Sequence, residues 1–380
     1  MRGWTSNAHP LALASQQLAL ELSRREDVRL YHQELGRPDG WQYIDSIFDK
    51  PSREKLKSIP PPDAEKPIDI VLRFSRPFDL ATVPGAERTF VYVAAEMGTV
   101  PAHAMAKHVH LRQAAGRSEA MILTPSQWSR RGLIASGVPE EHIVVIPFGV
   151  NTTIFRPLPQ EQREQLRGKT RAGSDFVFLH VSDLSWSKGL DLLLSAFATV
   201  AERHPEARLV LKGVDVPCNS SRRLEEAKAA LSDEQRDAVV PRMRYLGELA
   251  RFEKLAMLYQ MADAYVSPYR TTAFHRPALE AAACGLPVIC TAGGPTDEFL
   301  ADGFALPVRS EARSMIVDDI PDATVLLPDV EHLVEQMCAA IERRELRDKA
   351  RQSGPEAVGR GFTWAAVTDR LMQACLASLQ

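Results

Sequence analysis

The chain has 380 residues, 45% of them hydrophobic and 25% charged, with a formal net charge of −3. That length exceeds one ordinary core and predicts two domains, the composition is that of a soluble globular protein, and the charge gives a nucleic-acid partner no electrostatic support. No apolar run approaches the ~18 residues that span a bilayer.

The opening Met1-Arg2-Gly3-Trp4 does not read as a secretory signal. The five cysteines, Cys218, Cys284, Cys290, Cys338 and Cys375, are scattered and odd in number, and read as reduced thiols. Together these predict a cytoplasmic protein, with a peripheral membrane contact left open. No C-x-x-C, H-E-x-x-H or D-x-D element occurs, and only His108 and His110 stand close in sequence, so no metal ligand set is expected.

In chain order, Arg2 to Asn7 suggests a glycine turn at Gly3 feeding a helix with Leu11, Ala14, Leu18 and Leu22 on one face, although the strand that should precede such a turn is missing. Apolar strand-like runs then alternate with amphipathic segments, the pattern of doubly wound α/β sheets. The expected strands of the first half are 68–74, 89–95, 120–124 and 143–147, and those of the second are 176–181, 208–212, 243–246, 264–267, 287–291 and 323–327. Residues 59–67, I-P-P-P-D-A-E-K-P, read as a loop, and 157–174 as a polar linker. A helix is expected to carry His103, His108 and His110.

The segment from Ser267 to Glu298 is the most informative. A buried strand ending at Ser267 leads to a helix opened by Pro277 and closed by Gly285, so the backbone N–H groups of Phe274, His275 and Arg276 form a positive end suited to phosphate or sugar oxygens. Glu280, placed in that first turn, reads either as a dipole-stabilising acid or as an acceptor for a ribose diol. A second strand then reaches Ala292-Gly293-Gly294 and a helix beginning at Pro295, giving two neighbouring helix N-termini.

Several motifs in order resemble the retaining glycosyltransferases of family four. They are Ile146-Pro147-Phe148-Gly149-Val150-Asn151 through Phe155-Arg156-Pro157, the run Asp183 to Leu190 containing Lys188-Gly189, Tyr245-Leu246-Gly247-Glu248, and the Thr272 to Ile289 part of the Ser267 to Glu298 segment, which is similar to E-G-F-G-L-P-x-L-E-A-x-A-x-G-x-P-V-I. The resemblance implies an α/β GT-B fold, with two Rossmann-like domains facing a central cleft. It implies an acceptor-side domain over 1–157, a nucleotide-sugar domain over 158–355, and a helix over 356–380 crossing back to the first. The activity implied is hexosyl transfer from a nucleoside diphosphate sugar to a glycan or other hydroxyl-bearing acceptor, with retention and without cofactor or metal.

The family's roles carry over to Lys188 for the diphosphate and Glu280 for the ribose. Gly247 and Glu248 would lie near the base, the backbone around Thr272, Phe274, His275 and Arg276 near sugar and phosphate, and Gly293 and Gly294 on the phosphate side. Tyr92 to Pro101 resembles a W-E-x-G-x-x-P stretch, which makes Glu96 an acceptor ligand or general base, or else a cap or ion-pair partner. His110 and Gly3 are further acceptor-side candidates.

The departures are Asp183 and Thr272, where the family has arginine and glutamate, and Ala273, His275 and Arg276, where it has two glycines and a leucine. An acid facing a diphosphate repels it, so Arg276 or Arg270 is expected to supply the missing cation, Arg276 in a catalytic role beside Lys188 and Glu96. The alternatives are a weakened or inactive nucleotide-sugar-binding protein of the same fold, or a sugar-nucleotide epimerase.

Overall fold

A computed structural model describes residues 1–36, 43–44, 46–63, 65–170, 173–301 and 303–380. The chain divides into two units, Met1–Gly149 with Met315–Thr324 and Phe362–Gln380, and Val150–Ser314 with Val325–Gly361.

The first unit is built on a parallel sheet of β1 (Arg2–Gly3), β2 (Gln33–Glu34), β3 (Ile68–Arg73), β4 (Ala86–Tyr92), β5 (Met121–Thr124) and β6 (Ile143–Val145), in the order β2-β1-β3-β4-β5-β6. Gly3 therefore belongs to a short inner strand and not to a turn. The expected turn fails because Arg2 and Gly3 pair on both sides, with Gln33 and Glu34 and with Arg73. Glycine is needed at position 3 because the helix Pro10–Leu22 passes so close that a Cβ would lie 2.7 Å from the Ser15 Oγ. Phe74, Tyr92 and Phe148 stack at 5.2 and 5.4 Å between centroids, and the Tyr92 hydroxyl donates to the Ile146 carbonyl at 2.7 Å. The terminal helix Trp364–Ala377, N-capped by Thr363, packs on Pro10–Leu22, and its Trp364 fills the space a Cβ at Gly149 would need.

The second unit carries β7 (Phe176–Val181), β8 (Ala207–Lys212), β9 (Met243–Leu246), β10 (Ala264–Ser267), β11 (Val288–Thr291) and β12 (Ala305–Val308), all parallel in the order β12-β11-β10-β7-β8-β9. Its inner strands are covered on both faces and so read as continuous apolar runs. The helix Leu190–Arg203 sets Leu193, Leu194, Phe197 and Ala201 against them at helical spacing.

Three sequence expectations change. The linker expected over 157–174 contains the helix Gln160–Thr170, because Arg163 and Arg167 from it grip Asp263 at 2.6 and 2.9 Å; positions 171 and 172 lie outside the described residues, as does position 64 of the proline-rich loop. The strand expected over 323–327 belongs to a separate two-stranded sheet of β13 (Ser310–Val317) and β14 (Ile320–Pro328). The sixth strand of the second sheet is instead β12, whose Pro307 masks it in sequence and is tolerated because the strand lies at the edge.

Candidate functional site

The strand order of the second unit reverses between β7 and β10, which are hydrogen-bonded neighbours. At such a switch point the loops leaving the carboxyl ends of two adjacent strands part to opposite faces and open a crevice. The loops here are Ser182–Gly189 and Pro268–His275, and they are stitched together. The Ser187 carbonyl accepts from the Arg270 amide at 2.8 Å, the Trp186 carbonyl from Arg270 Nη1 at 2.8 Å, and the Thr271 carbonyl from Lys188 Nζ at 3.1 Å. Gly189 has φ +69°, and a Cβ there would overlap the Pro268 carbonyl oxygen, so no other residue fits between the loops.

Below the loops the buried His180 holds the Val266 carbonyl through Nδ1 at 2.8 Å and the Ser182 hydroxyl through Nε2 at 2.7 Å. Burial pushes its pKa down to about 4, so the ring is neutral. His275 sits at φ +55° in front of the helix Arg276–Ala283, its Nε2 3.0 Å from the Tyr265 hydroxyl. Burial first, then Lys188 and His180, hold its pKa well below the ordinary range. The buried side chain of Phe274 lies 5.2 Å from Phe299, so at this loop the side chains serve the interior.

Arg270 and Arg276, from which the missing cation was expected, are each held by another acid and not by Asp183. Arg270 forms a two-pronged pair with Asp191 at 2.8 and 2.6 Å, its guanidinium 4.5 Å above Trp186. Arg276 donates to Glu280 at 3.1 Å. Asp183 is met instead by Arg223, whose Nη1 lies 3.4 Å from its carboxylate and 2.9 Å from its carbonyl. Burial works against ionisation of Asp183, but Lys188, the Ser185 hydroxyl and amide, and Arg223 outweigh it and hold the carboxyl below its usual range. Arg223 belongs to the helix Ser220–Ala229 after β8 and carries no motif, so only the fold could reveal it.

Glu280 lies in the second turn of its helix, not the first, since the helix starts at Arg276. It is 2% exposed, with Oε2 accepting from the Tyr259 hydroxyl at 2.9 Å and Oε1 from Arg276. Burial raises its pKa against the opposing pull of Arg276 and Tyr259. Thr272 is buried in the preceding loop. Gly247 accepts from the Asp215 amide at 3.0 Å, and its missing Cβ makes room for the Asp215 carboxylate, which also takes the Ser221 amide at 2.8 Å and the Tyr245 hydroxyl. Glu248 beside it is exposed.

The Gly293 amide, expected to face phosphate, donates to the Asp297 carboxylate at 2.8 Å. The helix expected from Pro295 is a four-residue 3-10 turn, too short to have a developed dipole. Gly294 leaves room for the Tyr269 hydroxyl, which reaches Thr291 and Thr296.

In the first unit, Glu96 is exposed after β4, its carbonyl accepting from Trp128 Nε1 at 3.2 Å. His110 is exposed just before the helix Leu111–Ala115. The helix expected to carry His103, His108 and His110 is two 3-10 turns, Ala102–Ala104 and Ala106–His108. Extended residues Met105 and Val109 and left-handed Lys107 and His108 break it, so the histidines share no face. At β1 and the loop after it the sequence pointed to Gly3 but not to the polar group around Asn7 and His9. There the Asn7 carboxamide oxygen takes the His9 amide at 2.7 Å, its carbonyl takes Gln16 at 2.9 Å, and burial with nearby Arg76 pushes the His9 pKa down to about 3.

One His-Cys-Glu group among the described residues, His204, Cys338 and Glu342, is close enough to share an ion, but it lies past the far end of the helix Leu190–Arg203, away from these loops.

Crystal structures from Anabaena of Alr3699/HepE in complex with UDP and glucose superpose on the chain with a TM-score of 0.68 at 16% identity, covering 100% of both chains. The two parallel sheets and this likeness define a GT-B fold. A family model described as "Glycosyl transferases group 1" matches residues 161–356, and the chain belongs to that family. Mannosylfructose-phosphate synthase of Agrobacterium fabrum is 26% identical over 242 residues, 62% of this chain and 48% of the relative. A D-inositol 3-phosphate glycosyltransferase of Actinosynnema mirum is 29% identical over 243 residues, 61% and 51%. The chain thus spans about half the length of the curated relatives it matches.

Proposed function

We propose that the chain is a hexosyltransferase that moves a sugar from a nucleoside diphosphate donor to an acceptor hydroxyl, with retention and without a metal. The observation that carries this reading is the loop pair at the switch point of the second sheet, where Lys188 crosses to the Thr271 carbonyl beside the start of the helix bearing Glu280. Lys188 would meet the developing charge of the departing diphosphate, and the amides at the start of the helix Arg276–Ala283 would share that load. The ribose diol would reach the Glu280 carboxylate in competition with Tyr259 and Arg276. Gly247 and Glu248 would flank the base, with Thr272, Phe274, His275, Gly293 and Gly294 around sugar and phosphate.

The acceptor would be a glycan or similar molecule recognised by the first unit through Glu96, His110 and the loop after Gly3. The leaving phosphate can itself take the acceptor proton, so no protein base is needed. No described helix is long and apolar enough to cross a membrane, and four of the five unpaired cysteines are buried; a cytoplasmic site suits both.

A second reading is favoured by Asp183 and by the Gly293 amide being already taken by Asp297. It is a donor-binding protein of weakened turnover.

One experiment separates the two. Purified full chain is offered a panel of nucleoside diphosphate sugars, beginning with UDP-glucose because the HepE crystal structure is a complex with UDP and glucose, while thermal stabilisation and nucleoside diphosphate release are followed. Stabilisation with release by one donor supports transfer. Stabilisation without release across a panel of acceptors supports the second reading, and the absence of any stabilisation defeats both.

A further inference from the structure

The amino edge of the second sheet holds a cavity of about 250 Å³, lined by Arg163, Arg344, Arg347, Arg351, Asp263 and Asp348. Its walls include Ala262 and Asp263, which lead into β10, and Leu286 and Pro287, which lead into β11. It therefore lies at the opposite ends of the strands whose carboxyl ends carry the Pro268–His275 and Ala292–Gly294 loops.

The charges in this cavity do not balance. Both Asp263 oxygens are spent, one on Arg163 at 2.6 Å, the other on Arg167 at 2.9 Å and the Val177 amide at 2.8 Å. Asp348 is 3.5 Å from Arg344. Arg347 and Arg351 have no carboxylate in ion-pair range among the described residues. Arg347 gives Nη1 to the Ala340 and Ile341 carbonyls and lies 5.5 Å over Phe176, and Arg351 gives Nη2 to the Leu158 carbonyl. Each has further N–H donors in a planar fork. Burial and then the neighbouring Arg163 lower the Arg351 pKa, against the pull of Asp348, as expected where cations crowd one another.

We propose that this cavity binds a small soluble phosphoryl dianion, either free phosphate or a phosphomonoester, at a site separate from the donor loops. Guanidinium forks match phosphoryl oxygens two by two, and an anion here would relieve the crowding of Arg163 and Arg351.

The test is calorimetric titration of the full chain with inorganic phosphate and with glycerol 3-phosphate. The same titrations are run on Arg347→Gln/Arg351→Gln, on Lys188→Ala, and on Arg344→Glu, whose side chain is 84% exposed in the parent and whose change should leave the fold intact. Saturable binding that weakens at least about tenfold in the double variant, and severalfold in Arg344→Glu, but persists in Lys188→Ala, is the expected result. Tighter binding of glycerol 3-phosphate than of phosphate would assign the site to an ester, and the reverse to phosphate itself. Failure of both probes to bind, loss of binding in Lys188→Ala, or unchanged affinity in Arg344→Glu would overturn the proposal.

Discussion

The carboxyl edges of the two parallel sheets carry their polar groups in opposite ways. In the second unit His180, Thr271, His275 and Glu280 are buried, Lys188 and Asp183 are half-buried, Arg270 and Lys188 bond across from one loop to the other, and His180 joins the two strands beneath them. In the first unit Glu96 and His110 are exposed, and the buried polar loop is the one around Asn7 and His9. A site whose geometry is fixed before a ligand arrives loses little conformational entropy on binding. The contrast is what a shared donor and a variable acceptor would produce: one edge held rigid by its own hydrogen bonds, the other presenting side chains to whatever binds.

The sharpest way to break this comparison is Gly189→Ala. A methyl group there overlaps a backbone carbonyl at a positive φ, so we expect a loss of about 4 kcal/mol in urea unfolding. A loss below about 1 kcal/mol would mean that the two loops are not locked. Next is Arg276→Met, which leaves Glu280 buried with only Tyr259. We expect about 3 kcal/mol of destabilisation, and a smaller cost for Arg276→Met combined with Glu280→Gln, because the second change removes the stranded charge. Lys188→Ala tests function more than stability. Release of nucleoside diphosphate should fall about 10²-fold, roughly 2.7 kcal/mol, while the unfolding midpoint stays close to that of the parent.

A smaller effect follows from His180. Its pKa is near 4 in the folded chain and near 6.5 when unfolded, so between these values the unfolded state binds the extra proton. Stability present above pH 6.5 is therefore lost as pH falls toward 4, at up to about 1.4 kcal/mol per pH unit from this group. In His180→Gln that part of the slope should disappear. The measurement is ΔG of unfolding at pH 7, 6 and 5, and equal slopes in both proteins would show that His180 titrates normally.

Nine of the expected strands of the two sheets were legible because buried parallel strands are continuous apolar runs between helices of helical period, and that pattern is local. What was lost depends on pairing. Arg2-Gly3 is a strand only because Gln33 and Arg73 flank it, and Ala305–Val308 only because an edge can accept Pro307. At the site, Lys188 and Gly189 were legible from their motif, whereas the partners of the charges were not. Arg270 turns to Asp191, Arg276 to Glu280, and Asp183 to Arg223, forty residues away on another helix. The Arg276–Glu280 pair, four residues apart on one helix, was within reach of spacing; the other two pairings are set by the sheet order, which no spacing encodes.

The mildest prediction concerns the exposed edge itself. Glu96→Gln and His110→Ala should each leave stability within about 0.5 kcal/mol of the parent, since both are surface-exposed residues. If the first unit recognises the acceptor, the two variants will respond to donor with the same thermal stabilisation as the parent but will need more acceptor for half-maximal rate. A change in donor-induced stabilisation with no change in acceptor requirement would reverse the assignment. It would mean that the exposed edge serves the nucleotide sugar and that the contrast between the two edges reflects folding and not the division of substrates.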